Sequence, residues 1–172
     1  MGATGKKKIV SSAHLVARDA PELSEFEYGL MVSANAFNRW VARCMAAAGA
    51  PELAALDVLV LHTVNHRSRA KRLADICFTL NVEDTHLVNY ALKKLVKADL
   101  VAAGKRGKET HYSASESGEA LCQRYRAVRD TCLIETMAAL GGVENAEIGG
   151  AASVLRALSG LYDQAARAAT SL

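Results

Sequence analysis

Apolar residues recur along most of this chain at steps of three and four, the spacing that places them on one face of an α-helix. The first such stretch spans residues 21–48, where Pro21 suits a first turn and Gly49 and Pro51 end the pattern. A helix of this length extends roughly 40 Å, more than a small domain needs, so we expect part of it to pack against another chain. A second helix over residues 52–66 is apolar nearly all round and is predicted to lie in the core.

Two shorter amphipathic helices are predicted next. The first begins near Ser68, a residue suited to the N-cap, and ends in a turn over residues 78–82. The second begins within residues 81–84, where acidic residues meet the positive helix end, and runs to about Ala98.

A basic hairpin follows the helix pair. Residues 100–102 and 110–114 are predicted as strands, and the glycines within residues 104–108 favour a tight turn between them. This order is typical of a winged helix-turn-helix, a mainly α fold with a small β-wing.

Two more helices complete the predicted fold. Ser115 is the expected N-cap of a helix that reaches about Leu140, and a last helix covers roughly residues 145–169. The sequence therefore predicts four segments: a flexible basic tail (1–20), an N-terminal dimerisation helix (21–50), a winged helix-turn-helix (51–114) and C-terminal dimerisation helices (115–172). For the basic cluster of the tail, a solvated terminus and an arm that touches DNA are the two alternatives.

Positive charge is concentrated on the predicted helix-turn-helix and wing. The whole chain has a formal net charge of +3, whereas residues 62–112 hold ten Lys or Arg and five acidic residues. This distribution is what a phosphate-binding surface requires. A basic helix face is often only solvated, so the charge supports DNA contact through its coincidence with the turn and the wing.

The cysteines and the apolar runs indicate the compartment. Cys44, Cys77, Cys122 and Cys132 lie in apolar helical patterns with no CxxC pair, so we expect buried thiols in a reducing cytosol. A redox-sensing thiol and a structural zinc site are left open. The chain shows neither a secretory signal nor an apolar run long enough for a bilayer, so we expect a cytoplasmic protein without a membrane partner.

Three ordered motifs resemble the MarR family of bacterial transcription regulators. Leu73-Ala74-Asp75-Ile76 is similar to the family's pattern in the first helix of the reading unit, residues 91–101 resemble the end of its recognition helix, and Ser113–Gly118 resemble the start of its next helix. Two departures stand out: Asp99 occupies the place of the usual glycine, and the wing lacks the common aspartate-x-arginine signature. The resemblance covers about residues 20–140 and implies a homodimer that binds double-stranded DNA at a pseudo-palindromic operator, in some members under control of a small ligand or an oxidant.

The exposed side chains of the reading unit are the candidate DNA contacts. Asn can bond adenine in two places and Thr can touch the thymine methyl, so the outward side of the fourth helix is predicted to meet bases. The lysines of that helix and the cations before the third helix are predicted to meet phosphates, and the wing cations to meet the backbone or enter the minor groove. The candidates are Ser68, Arg69 and Lys71 before the third helix, Thr85, His86, Asn89, Tyr90, Lys93 and Lys94 on the fourth, and Lys105, Arg106 and Lys108 on the wing.

Other functions are less well supported by the residues. The wing glycines lack the spacing of a phosphate loop, and we find no acid–base or nucleophile constellation, so we predict neither an enzyme nor a cofactor. His62 and His66 share a helix face and could bind metal, but a third ligand is missing. Tyr28, Phe37, Trp40 and Tyr125 are candidates for a small-molecule effector pocket, with ordinary core packing as the alternative. A winged-helix module that binds protein rather than DNA is the alternative function.

Overall fold

In the computed structural model, which describes residues 21–140 and 144–172, the fold is mainly α-helical with a three-stranded antiparallel sheet. Short 3-10 and π-helical segments lie at His66–Ser68 and Asp130–Ile134. None of the helices in these two ranges is long and apolar enough to cross a membrane. The elements are α1 (Pro21–Ala47), α2 (Ala55–Asn65), β1 (Lys71–Arg72), α3 (Leu73–Leu80), α4 (Thr85–Lys97), β2 (Val101–Arg106), β3 (Glu109–Ala114), α5 (Glu116–Arg129), α6 (Glu135–Leu140) and α7 (Asn145–Ala169).

The chain divides into two compact units, the first ending at Val128 and the second beginning at Arg129. The core of the first unit surrounds α2, which packs against α1, α3, α4 and β3, as its nearly continuous apolar sequence predicts. The largest fully buried side chains come from five different helices; among them are Met45, Leu61, Ile76, Leu92, Leu95 and Leu121.

Only part of the long helix α1 belongs to this core. Val41, Cys44 and Met45 near its end are buried, together with Ser24 near its start. Five large apolar side chains of the helix remain exposed: Leu23, Tyr28, Met31, Val32 and Phe37. In the described part of the chain the helix spans Pro21–Ala47, and every residue from Met31 to Arg39 is exposed.

The sheet has the order β1-β3-β2, and its first strand was not expected from the sequence. Lys71 and Arg72 pair with Tyr112 and His111 of β3. This pairing extends the backbone before α3, so that helix begins at Leu73 and the prediction of a start at Ser68 is wrong.

The hairpin turn is tighter than the sequence suggested. Strands β2 and β3 pair as far as Arg106 and Glu109, which leaves Gly107 and Lys108 as a two-residue turn. Gly107 has a φ of 63°, a left-handed conformation that glycine adopts without a steric penalty. Gly104, predicted to lie in the turn, is instead paired with His111 in the strand.

A close contact fixes the junction between the wing and α5. Ser115 caps the helix as predicted, since its Oγ accepts a hydrogen bond from the Gly118 N–H at 3.1 Å. The same hydroxyl donates to the Asp99 carbonyl at 2.6 Å. A Cβ on Gly118 would overlap the carbonyl oxygen of Leu100, so only glycine fits here.

The second unit contains the π-helical segment, α6 and α7. Residues 116–140 are helical as predicted, but at Asp130–Ile134 the backbone widens, and the Glu135 N–H donates to the carbonyl of Asp130. Helix α7 matches the predicted range 145–169. None of its residues is buried, and Ile148, Val154, Leu155 and Leu161 are exposed.

Candidate nucleic-acid interface

Helix α4 has one apolar face and one polar face. Val88, Ala91, Leu92 and Leu95 are buried, which turns the opposite side of the helix away from the core. That outward side carries His86, Tyr90, Lys93 and Lys97, all exposed, and Tyr90 is 72% accessible. We call these four residues the outward face of α4.

The start of α4 is fixed by Asp84. Its carboxylate accepts the His86 N–H at 2.9 Å, which satisfies a free backbone donor of the first turn. Thr85 is exposed beside it, whereas Asn89 lies at the flank of the outward face and is half-buried. Tyr90 therefore presents more surface for contact with bases than Asn89 does.

Lys94 does not share the surroundings of its neighbour Lys93. Its Nζ lies 2.6 Å from the carboxylate of Asp57 and donates to the carbonyl of Glu52 at 2.6 Å. Asp57 is buried and also accepts the Ala54 N–H at the start of α2. Lys94 thus links α4 to α2, and its ammonium is bonded to groups of the protein itself. The structure therefore offers no support for its predicted contact with a phosphate.

The three predicted wing contacts, Lys105, Arg106 and Lys108, are exposed. An ion-pair network lies at the base of the wing, where Arg72 bonds to Asp75 at 3.0 Å and to Glu109 at 3.3 Å. The hydrogen bonds from Arg72 lower the pKa of Asp75 to about 2. Arg72 therefore connects the start of α3 with the first residue of β3.

The predicted contacts before α3 differ in exposure. Ser68 and Arg69 are exposed, as a phosphate contact requires, but neither lies at a helix start. Lys71 is 7% accessible and its ammonium is bonded to backbone carbonyls. The prediction that Lys71 contacts a phosphate is therefore not supported, because its donors are used within the protein. The sequence could not distinguish these cases because all three residues are polar and adjacent.

Sequence reasoning missed several exposed side chains of the reading unit. Phe78 on α3 is 89% accessible and Leu87 on α4 is 53% accessible, although both are large and apolar. Their positions outside the buried stripe of each helix are the signal that could have revealed them. Arg67, exposed beside Ser68, was also missed.

The four aromatic residues of the candidate effector pocket are divided between core and surface. Tyr125 is buried, with its ring 4.5 Å from that of His62 in an edge-to-face arrangement. Trp40 is half-buried against the core, whereas Tyr28 and Phe37 are exposed on α1. Core packing, the alternative given above, describes Tyr125 and Trp40.

The cysteines also divide between buried and exposed positions. Cys44, Cys77 and Cys122 are buried as expected, and burial raises the pKa of Cys77 and raises that of Cys122 to about 11. Cys132 is exposed in the π-helical segment, contrary to expectation. His62 packs against Tyr125, and among the described residues no three His, Cys, Asp or Glu side chains cluster in a way that could hold a metal ion.

Comparison with known protein families identifies the class of this module. Residues 53–118 match the family profile of the winged helix DNA-binding domain, which spans α2 to the first turn of α5. No curated protein matches the chain by sequence.

Solved structures extend the likeness beyond this module. CouR of Rhodococcus jostii, solved with p-coumaroyl-CoA, superposes with a TM-score of 0.64 at 14% identity, over 77% of this chain and 90% of CouR. A MarR family regulator from Neisseria meningitidis gives a TM-score of 0.64 at 15% identity, over 83% of this chain and 94% of its own. AbfR of Staphylococcus epidermidis gives 0.63 at 15% identity, over 86% of this chain and 99% of AbfR. The chain therefore has the fold of MarR-family regulators, and the resemblance stated from the sequence is confirmed at the level of the fold.

Proposed function

We propose that this protein is a homodimeric transcription regulator of MarR type that binds a specific DNA sequence. The observation that carries this proposal is the outward face of α4, which the described part of the chain leaves uncovered beside a basic wing. A helix of this kind fits the major groove of B-DNA, and a hairpin beside it fits the adjacent backbone. The winged helix DNA-binding match over residues 53–118 supports the same function.

The outward face divides between two kinds of contact. Its N-terminal half, His86 and Tyr90, can hydrogen-bond to base edges, and Thr85 beside it can contact a thymine methyl. Lys93 and Lys97 extend along the same face and suit phosphates, as do the wing residues Lys105, Arg106 and Lys108. Asn89 is half-buried and is kept as a candidate at the flank.

Exposed apolar surface supports the homodimer. Helix α7 has 25 residues and none of them is buried, and Val154, Leu158 and Leu161 recur on it at steps of three and four. In proteins most of the stability of a helix comes from packing its apolar face against other elements. The exposed apolar side chains of α7 and, separately, those of α1 offer surface on which a second copy would pack.

Binding of a small-molecule effector remains a prediction that follows from the resemblance to the MarR family. CouR, one of the similar structures, was solved with p-coumaroyl-CoA. In this chain, the exposed Tyr28 and Phe37 are the members of the predicted aromatic set that remain available to a ligand.

Selection of bound duplexes from the source genome, followed by binding measurements, tests the proposed function. We expect two protomers on one duplex with a pseudo-palindromic site, the half-sites lying about 34 Å apart. Tyr90→Ala should weaken binding to the selected site by about 1–3 kcal/mol, or roughly 5- to 150-fold, and leave binding to scrambled DNA unchanged.

Lys93→Ala is the matched control on the same face. Because a phosphate contact carries no sequence information, this variant should weaken binding to selected and scrambled duplexes alike. Failure of the wild-type protein to bind any duplex at low salt would contradict the proposal and favour a winged-helix module that binds another protein.

A further inference from the structure

The loop between α2 and β1 adopts an unusual backbone conformation. Arg67 has a φ of 61° and the next residue, Ser68, a φ of 42°. Left-handed conformations are uncommon for residues with a side chain, and two in succession persist only where surrounding contacts hold them.

Lys71 provides those contacts. Its Nζ donates to the carbonyl oxygens of Val64 at 3.0 Å and Arg69 at 3.1 Å, and also to that of His66. An ammonium has three donors, and all three are used here by the two sides of the loop. Burial and the charges of Arg69 and Arg67 lower the pKa of Lys71.

The positive charge of this loop has little compensation within the protein. Arg67 and Arg69 are exposed, and neither they nor Lys71 form an ion pair with any residue in the described ranges. The charge of Arg69 is felt by the carboxylate of Asp75, but that carboxylate already forms an ion pair with Arg72. Three cations held close together without an acidic partner favour an anion from outside.

The position of the loop indicates the source of that anion. Lys71 and Arg72 pair with β3, the second strand of the wing, so the loop continues directly into the wing sheet. Arg72 also bonds Glu109, where the wing turn ends. A phosphate bound by this loop would therefore lie beside the wing.

We propose that Lys71 is a positioning residue and that the loop it holds binds a backbone phosphate of the DNA through Arg67 and Arg69. This inference rests on the proposed function and adds a contact to the outward face of α4 and the wing tip. Lys71 itself does not touch the DNA; it acts by holding the carbonyls of Val64, His66 and Arg69 and so the conformation of the loop.

The experiment measures binding to the selected duplex as a function of salt and with single phosphates replaced by neutral methylphosphonates. Arg67→Ala/Arg69→Ala should make the negative slope of log K against log salt shallower by about 0.9, because one phosphate contact is lost. At least one methylphosphonate position should weaken the wild-type protein and leave the double variant unaffected. Lys93→Ala removes a phosphate contact from α4 instead and should leave the response at that methylphosphonate position unchanged.

Lys71→Met separates positioning from direct contact. We expect it to lower affinity and salt slope in the wild-type background and to have no further effect in Arg67→Ala/Arg69→Ala. An additive effect would mean that Lys71 contacts phosphate itself and would overturn its positioning role. Circular dichroism identifies a Lys71→Met protein that fails to fold, in which case the exposed arginine variants decide the question.

Two further results would overturn the phosphate site while leaving the proposed function intact. One is specific DNA binding by Arg67→Ala/Arg69→Ala with an unchanged salt slope and methylphosphonate profile. The other is saturable binding of inorganic phosphate that depends on these arginines while DNA binding does not, which would assign the loop to a free phosphate ligand. Absence of DNA binding by the wild-type protein would instead remove the proposed function itself.

Discussion

Lys93 and Lys94 are neighbours on α4 with opposite surroundings. Lys93 lies on the outward face and is exposed, whereas Lys94 lies 2.6 Å from the buried carboxylate of Asp57. The side chains are chemically identical, so the difference arises from a residue 37 positions away in the sequence. A role in DNA binding or in stability is therefore decided for each lysine by its contacts.

The pair makes a matched test. Lys94→Ala should lower the free energy of unfolding by about 1–3 kcal/mol, because it leaves the buried Asp57 carboxylate without its cationic partner. Lys93→Ala should change it by less than about 0.5 kcal/mol, as is usual for an exposed site. Urea denaturation measures both, and equal stability of the two variants would contradict the assignment.

At the scale of the elements, the same hydrogen-bond pattern recurs at the C-terminal ends of three helices. A residue with left-handed backbone follows each helix: Gly49 after α1, Asn81 after α3 and Asp99 after α4. The next N–H then donates to a carbonyl five residues earlier, as from Leu100 to Leu95 at 3.0 Å. This is the Schellman motif, which favours glycine at the left-handed position. It explains why the MarR pattern has glycine where this chain has Asp99.

The cost of Asp99 can be measured with two variants. Asp99→Ala should lower the unfolding free energy by about 1 kcal/mol, because a Cβ without a compensating polar group is disfavoured at positive φ. Asp99→Gly should be at least as stable as the wild type, since glycine relieves the steric strain. Thermal unfolding of the three proteins gives the order, and a glycine variant less stable than the alanine variant would contradict this account.

At the scale of the whole molecule, the first unit has a continuous core, and a half-buried histidine at its edge resists protonation. His62 of α2 packs against Tyr125 of α5, and its Nε2 is buried without a hydrogen-bond partner among the described residues. Burial, and to a smaller extent the charge of Arg126, lower the pKa of His62 below its usual 6.5. The unfolded chain therefore binds the proton more tightly than the folded one.

Stability should consequently depend on pH in a defined direction. The contribution of His62 is fully present above pH 6.5 and is lost as the pH falls through the lower folded pKa. The slope is at most about 1.4 kcal/mol per pH unit, because the two states differ by at most one bound proton at this group. His62→Phe, which keeps an aromatic ring beside Tyr125, should flatten the dependence measured by urea denaturation between pH 7 and 5. His86→Asn, at an exposed site, is the control, and an unchanged profile for His62→Phe would exclude His62 as the cause.

Local patterns were sufficient to predict most of the elements and the class of the fold. The steps of three and four predicted the helices, and the glycines together with Thr110 and Tyr112 predicted the hairpin. Ser115 and residues 81–84 marked two of the helix starts. These signals depend on backbone preferences over a few residues, so they can be read from one segment at a time. Strand β1 was missed because its two residues are extended only through pairing with β3, about 40 positions away.

The sequence by itself determined where the polar and apolar faces of the reading helix lie, because a helix converts spacing directly into direction. Only the tertiary structure decided which cations remain free. Lys71 and Lys94 were predicted to meet phosphates, yet both ammonium groups are bonded within the protein, whereas Arg67, which the sequence did not single out, is exposed. The physical reason is that exposure and hydrogen bonding depend on which distant segments pack together, and spacing along the chain carries no information about those partners.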